Sequence, residues 1–277
     1  MKQQRNKQHR EHSAASAAAG NSGGRKPSAA AVVEEGVFEE ALAERLTELS
    51  LSLPSERLAL LTRYYVELVE TNRVMNLTGI VEAAEVAEKH IADSLRLLTF
   101  LEEAGPDPLA GKILVDVGTG AGLPGIPLAA VCPHCRVVLL DAQRKRCDFL
   151  SRVCRELGLS QTEVLWGRAE ELARQPARRE RADLAVARAV APLPLLAEYT
   201  AGLVKPGGAV IAMKGGNLTE ELKTAAHALA ELRLRVEKRL DYTLTSGERR
   251  SLLLLRKTAP LAEKYPRNSG VIKKKPL

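Results

Sequence analysis

The sequence predicts an α/β fold: a doubly wound sheet of seven strands with an antiparallel last strand, preceded by a small N-terminal helical region. Three observations carry this. Five short apolar runs alternate with helical stretches between residues 113 and 213, the pattern of a parallel sheet covered on both faces. Two later runs, 234–242 and 251–257, are joined by a short Ser246-Gly247-Glu248 turn. With no helix between them they pair antiparallel. The first apolar run ends in a glycine-rich turn, at the sheet edge where such folds bind ligands.

The elements follow in order. Residues 1–30 are polar, basic and rich in Ala, Ser and Gly; they lack the apolar surface to offset ordering entropy and are expected to be disordered. Residues 31–105 form the helical region. Phe38, Ala41, Leu42, Leu46 and Leu49 recur at helical spacing, as do Leu58, Leu61, Tyr65, Leu68 and Val69. The helices break at Asn76-Leu77-Thr78-Gly79, and a further helix over 83–101 ends near Gly105-Pro106. Residues 106–258 form the sheet domain. Its parallel strands are expected at 113–117, 137–140, 163–166, 184–187 and 209–213, with helices near 123–131, 145–157, 169–174 and 193–203. Residues 259–277 read as an extended basic tail.

The bulk numbers exclude some classes. No run approaches the roughly 18 apolar residues of a membrane span. The opening MKQQRNKQHREH lacks the apolar core of a secretory signal, so a cytoplasmic protein is expected. The net charge of +7 sits at the ends: 1–30 and 264–277 carry +5 each, leaving the middle at −3. Flexible basic ends suit a polyanion such as nucleic acid, or merely aid solubility. Cys132 and Cys135 form a C-x-x-C, but structural zinc usually takes two such pairs. Cys147 and Cys154 look like inner helix positions, so buried thiols and no metal are expected.

The turn VDVGTGAGLPGIPLA, residues 115–129, contains a literal G-x-G-x-x-G from Gly120 to Gly125, the pattern of a nicotinamide dinucleotide site. Its register argues otherwise. A dinucleotide loop places its first Gly directly after the strand; that residue is Gly118, and counting from it gives G-x-G-x-G. Asp116, just before the loop, would repel a pyrophosphate and suit a cation. S-adenosylmethionine carries a sulfonium, an ammonium and no phosphate, so the loop favours it. Gly118, Gly120 and Gly122 allow a sharp turn and close backbone approach, while Pro124 and Pro127 fit the first turn of the next helix.

Other candidates stand at the ends of the later strands. Asp141, 23 residues after Gly118, can accept ribose hydroxyls, or cap the helix that begins near Gln143. Arg144, Lys145 and Arg146 place cations at a helix N-terminus, where they are unfavourable, which hints at RNA phosphate contact. Ala169 and Glu170 follow the third strand and could meet an adenine edge, or simply be an acid-rich helix start. Arg188 follows an apolar run at the ligand edge, where a lone guanidinium needs a carboxylate or ligand.

Taken together, NLTGI (76–80), KHIADS (89–94), VDVGTGAGLPGIPLA, LLDAQRKRCDFL (139–150), GRAEEL (167–172), ARAVAPL (187–193) and AMKGG (212–216) resemble the bacterial ribosomal RNA small-subunit methyltransferase G family. That family is also called glucose-inhibited division protein B. YPRNSG (265–270) with KKKPL resembles the family tail. The resemblance covers residue 58 to the C-terminus and implies a class I methyltransferase with a Rossmann-like sheet. It implies methyl transfer from S-adenosylmethionine to N7 of a guanine in the loop around position 530 of 16S ribosomal RNA. It also implies cofactor contacts at Gly118, Leu123, Ala169, Glu170 and Arg188. RNA contacts are expected from the basic residues Arg144, Lys145, Arg146, Arg267 and Lys273. His90 and Asp93 match the family's helix motif, and Lys214 the motif after the fifth strand. His90 touches substrate or pairs with Asp93 one turn on; Lys214 contacts RNA phosphate or precedes a Gly-Gly turn.

Guanine N7 has an in-plane lone pair and no proton, so no general base is required and no catalytic dyad is expected; the task is alignment and water exclusion. No Asn/Asp-Pro-Pro-Tyr/Phe run follows the fourth strand, and no Pro-Cys pair occurs. Exocyclic amino methylation and cysteine attack on a pyrimidine are thereby disfavoured. A monomer acting on 16S rRNA or the small subunit, with no membrane partner, is the expectation. The rivals are a methyltransferase for another RNA, a small molecule or a protein, a nicotinamide-dependent oxidoreductase, and a non-catalytic ribosome-binding protein.

Overall fold

The computed structural model of the chain describes residues 29–102, 107–216 and 218–277. All but the last two positions of the expected basic extension, and the turn expected at Gly105-Pro106, lie outside the described residues.

Four helical segments come first: α1 (Ala29–Glu48), α2 (Ser55–Met75), α3 (Ala83–Val86) and α4 (Asp93–Phe100). Helix α1 begins nine residues before the expected apolar stripe, in sequence that opens on alanine, the strongest helix former. Phe38 of α1 stacks on Tyr65 of α2 at 4.5 Å between ring centres. Asn76, at a left-handed φ of 48°, ends α2, and the Asn72 carboxamide binds the NLTGI turn by accepting from Leu77 N and Thr78 N and donating to Thr78 O. The single helix expected over 83–101 is not uniform. A π-helical segment, Ala87–Ala92, separates α3 from α4 and carries His90; such segments often mark functional sites.

The sheet comprises β1 (Ile113–Val117), β2 (Arg136–Asp141), β3 (Thr162–Trp166), β4 (Ala182–Arg188), β5 (Val204–Gly215), β6 (Leu234–Thr243) and β7 (Arg249–Lys257). Its order is β3-β2-β1-β4-β5-β7-β6. The first five strands pair parallel, and β7 runs antiparallel to both β5 and β6. The crossover helices are α5 (Gly125–Val131), α6 (Arg144–Glu156), α7 (Ala169–Leu172), α8 (Leu193–Ala201) and α9 (Leu218–Glu231). The sequence reading left α9 unnamed.

Alternate strand residues divide the core. Leu114, Val137, Leu139, Val186, Ile211 and Leu254 face the N-terminal helices, α5 and α6 in one cluster. Val115, Val138, Leu140, Ala185, Val210 and Leu255 face α7, α8 and α9 in the other. The helical region therefore shares its core with one face of the sheet. The two faces converge on one ligand edge, the C-terminal ends of β1 to β5.

The C-terminal segment corrects the expected extended tail. Residues 259–277 pack against α8 and end in a helix, α10 (Ser269–Lys274). Leu261, Tyr265 and Ile272 are buried in the second core cluster. The three apolar anchors are spaced without period among charged residues, so patterning could not reveal them. All four cysteines are buried free thiols; burial pushes the thiols of Cys132 and Cys135 up to about 12.

Candidate active site

The glycine loop is braced from below. Asp116 at the end of β1 is fully buried. Its Oδ2 accepts from Thr119 Oγ1 at 2.5 Å and from Gly125 N at 2.8 Å, and burial raises its pKa to about 6. Both donors to Oδ2 come from the turn, which this oxygen braces, while Oδ1 is buried without a partner and Asp116 stands behind the cleft lining. Tyr64 of α2 donates to the Ala121 carbonyl at 2.8 Å and ties the helical region to the same turn. Gly118 sits at φ +68°, and a Cβ there would meet Val190 Cγ2 at 2.9 Å; any side chain would strain the backbone and crowd the turn.

Above the loop lies a cleft of about 450 Å³ lined by Gly118, Asp141, Gly167, Ala169, Glu170 and Tyr199, among others. Asp141 closes β2 onto the loop: Oδ2 accepts from Gly120 N at 3.0 Å and Oδ1 from Gln143 N at 2.8 Å. The Gln143 bond closes a two-residue turn ahead of α6, whose N-cap is Gln143 with no side-chain cap bond; the carboxylate has further lone pairs and Asp141 lines the cleft. Glu170, 4% exposed, has a buried Oε1 with no hydrogen-bond partner. A buried, unsatisfied acceptor on a cleft wall fits a ligand that brings a donor. Leu123 stands apart from this set: its side chain is buried in the core, its backbone N–H donates to Thr119 O, and it does not line the cleft.

A second recess, about 320 Å³, opens beside the first. It is lined by His90, Asp93, Arg188, Lys214, Tyr242 and Arg250, among others. The chain after β4 separates the two: Arg188 and Ala189 face the recess, Val190 to Pro192 the cleft. Ala189 holds a left-handed φ of 54°, a strained state for a residue with a Cβ and common at functional sites. The structure therefore corrects Arg188 as a cleft residue. Its guanidinium donates to Lys89 O at 3.1 Å and to Asp93 Oδ2 at 3.4 Å, which satisfies the charge that the sequence left alone.

His90 is buried, and its Nε2 lies 2.7 Å from Thr78 Oγ1. The expected pairing with Asp93 is corrected: Asp93 accepts from Tyr242 Oη at 2.6 Å and from Arg188. The π-helical segment alters the spacing on which an i, i+3 contact rests. Thr78 Oγ1 also accepts from Ile80 N, and which of Thr78 Oγ1 and His90 Nε2 donates to the other depends on the imidazole tautomer. Nδ1 is buried without a partner. Burial and the Arg188 charge lower the His90 pKa to about 4, so the ring is neutral near pH 7. Lys214 donates to the Ala191 carbonyl at 2.9 Å and pairs with Glu221 at 2.7 Å. It pins the chain after β4 from inside the recess, and is 10% exposed there.

The RNA candidates divide. Arg144 and Lys145 are exposed at the start of α6; Arg146 lies 3.6 Å from Asp141. Arg267 is corrected: its backbone N, Nε and Nη2 bind the fully buried Glu198, and Nη1 donates to Lys275 O, so its guanidinium locks the C-terminal segment in place. Lys273, on α10, is exposed and lines the cleft with Ser269. The sequence reading missed Tyr242, Glu221, Ser269 and Tyr199, which reach the site through folding over 28 to 149 residues of separation or from a helix it did not name. It also missed the exposure of Trp166, signalled only by an aromatic at a strand's last position.

Comparisons with known proteins bear on this geometry. A family model described as rRNA small subunit methyltransferase G matches residues 57–252. The chain is 40% identical over 243 residues to Ribosomal RNA small subunit methyltransferase G of Pelotomaculum thermopropionicum, covering 87% of this chain and 99% of that one. It is 40% identical over 241 residues to the protein of the same name from Carboxydothermus hydrogenoformans (86% and 100% covered). It is 39% identical over 241 residues to that of Desulfitobacterium hafniense (86% and 98%).

Proposed function

Since the chain belongs to the rRNA small subunit methyltransferase G family, we propose that its two recesses divide one reaction between them, the cleft holding S-adenosylmethionine and the second recess the target guanine. The activity is S-adenosylmethionine-dependent methylation of ribosomal RNA. The finer assignment, N7 of a guanine in the 530 loop of 16S rRNA, is the family's implied chemistry, and the architecture of the site supports it. The observation that carries the reading is Glu170 Oε1, a buried acceptor without a donor in a cleft beside a second polar recess.

When bound, S-adenosylmethionine supplies an electrophilic methyl group on a sulfonium. Glu170 is placed to accept from the adenine amino edge, Asp141 to take ribose hydroxyls on its remaining lone pairs, and Gly118 and Gly120 to let the backbone approach the amino-acid end. In the recess, neutral His90 has an unpartnered Nδ1 that can take up a polar edge of the base. The carboxylates of Asp93 and Glu221 stand where positive charge builds as N7 is methylated. N7 has no proton to lose, so none of these groups has to remove one from it. Arg188 and Lys214 hold the segment between cofactor and base, so their role is alignment.

The reading extends to a cytoplasmic monomer acting on the small subunit or its RNA. Free thiols suit a reducing compartment, and among the described residues no helix is long and apolar enough to cross a membrane. Incubation with methyl-labelled S-adenosylmethionine and small subunits lacking the mark tests the function: label enters the RNA. Label on ribosomal protein, or none, overturns it.

A further inference from the structure

The chain's single tryptophan stands on the catalytic rim. Trp166 is the last residue of β3, the outermost strand of its side of the sheet, and is 58% exposed. Its neighbours fix it there. The indole Nε1–H donates to the Ala142 carbonyl at 3.1 Å, and the Arg144 guanidinium lies 5.1 Å from the ring centre, itself held by Asp148 at 3.2 Å. An indole with one face under a guanidinium and more than half its surface in water has ring surface to offer. Exposed Arg168 lies two residues after Trp166 and exposed Lys145 follows Arg144 on α6, while Asp148 is held by Arg144.

A fixed aromatic face beside a guanidinium, in a segment with further exposed cations, is the chemistry that takes an unpaired nucleic-acid base and its phosphates. We propose that Trp166 and Arg144 form a stacking platform for an unpaired base of the substrate RNA that flanks the target. The stacked base is a neighbour of the target: β3 lies three strand spacings from β4, about 14 Å across the sheet from Arg188. Stacking tolerates any base, so the platform adds grip while the recess supplies selection. The low aromatic content, 3%, makes this one ring matter more. The proposal rests on the RNA methyltransferase reading above.

Methylation kinetics on unmarked small subunits test it, with S-adenosylhomocysteine affinity measured alongside. Trp166→Ala lowers kcat/KM for the subunit about 5- to 150-fold, the range for one lost base–aromatic stack. Its S-adenosylhomocysteine affinity stays unchanged, and Trp166→Phe retains most of the activity. The salt slope of RNA binding stays at the wild-type value in Trp166→Ala and falls by about 0.7 to 0.9 in Lys145→Ala. Wild-type kinetics in Trp166→Ala overturn the platform, as does a loss of S-adenosylhomocysteine binding, which makes the ring a wall of the cofactor cleft. If the unsubstituted chain methylates no RNA, the functional reading fails and the platform with it.

Discussion

Leaving a buried acceptor without a donor costs roughly 1–3 kcal/mol, and Glu170 Oε1 is such an atom. A ligand donor would recover that cost. Glu170→Ala is therefore expected to weaken S-adenosylhomocysteine binding about 10- to 100-fold, as for a hydrogen bond to a charged group. Calorimetry checks it; an unchanged Kd contradicts the assignment. His90 gives a second prediction with a definite sign. Its folded pKa, about 4, lies below the ordinary 6.5, so the unfolded chain binds the extra proton between those values. Its contribution to stability is present above 6.5 and is lost as pH falls through 4. Thermal unfolding of wild type and His90→Gln should therefore diverge with falling pH, the wild type losing more stability; parallel profiles contradict it. Residue types at strand ends were readable in the sequence: Asp141, Glu170 and Arg188 all reach the site. Their partners were not readable, because Asp116 turns inward to the loop and Arg188 to Asp93 through packing that no local spacing encodes.

Elements were legible where a period was sustained. The five parallel strands and the antiparallel pair follow from alternating or continuous apolar runs; β1, β2, β4, β5 and β7 bury theirs, while the edge strands β3 and β6 are mostly half-buried or exposed. The π-helical segment was invisible, since its sequence, AEKHIA, differs from helical sequence in no local propensity. The C-terminal segment was misread because its fold rests on a few anchors and one ion pair. Glu198 is fully buried against Arg267, and removing one partner of a buried pair leaves an uncompensated charge. Arg267→Ala is expected to destabilise the chain by about 3–5 kcal/mol, while Lys273→Ala, at an exposed position, leaves stability within about 0.5 kcal/mol. Denaturant unfolding distinguishes them; equal effects would show that the segment is not locked by this pair.

At the scale of the whole molecule, the helical region supplies the wall that a bare sheet lacks. His90 and Asp93 come from it, Arg188 and Lys214 from the sheet, and Tyr242 from the edge hairpin; the recess exists only where the three meet. The cleft proposed for the cofactor, by contrast, is built mainly from sheet-edge turns, with α8 and α10 closing one side, which is why the sequence exposed most of it. The proposed division between cleft and recess fixes where the methyl group goes. The most direct measurement is nucleoside analysis and position mapping of small-subunit RNA after incubation with this protein and S-adenosylmethionine. The account predicts 7-methylguanosine at one position in the 530 loop. A methyl group on another atom or another base, or spread over many positions, would contradict it.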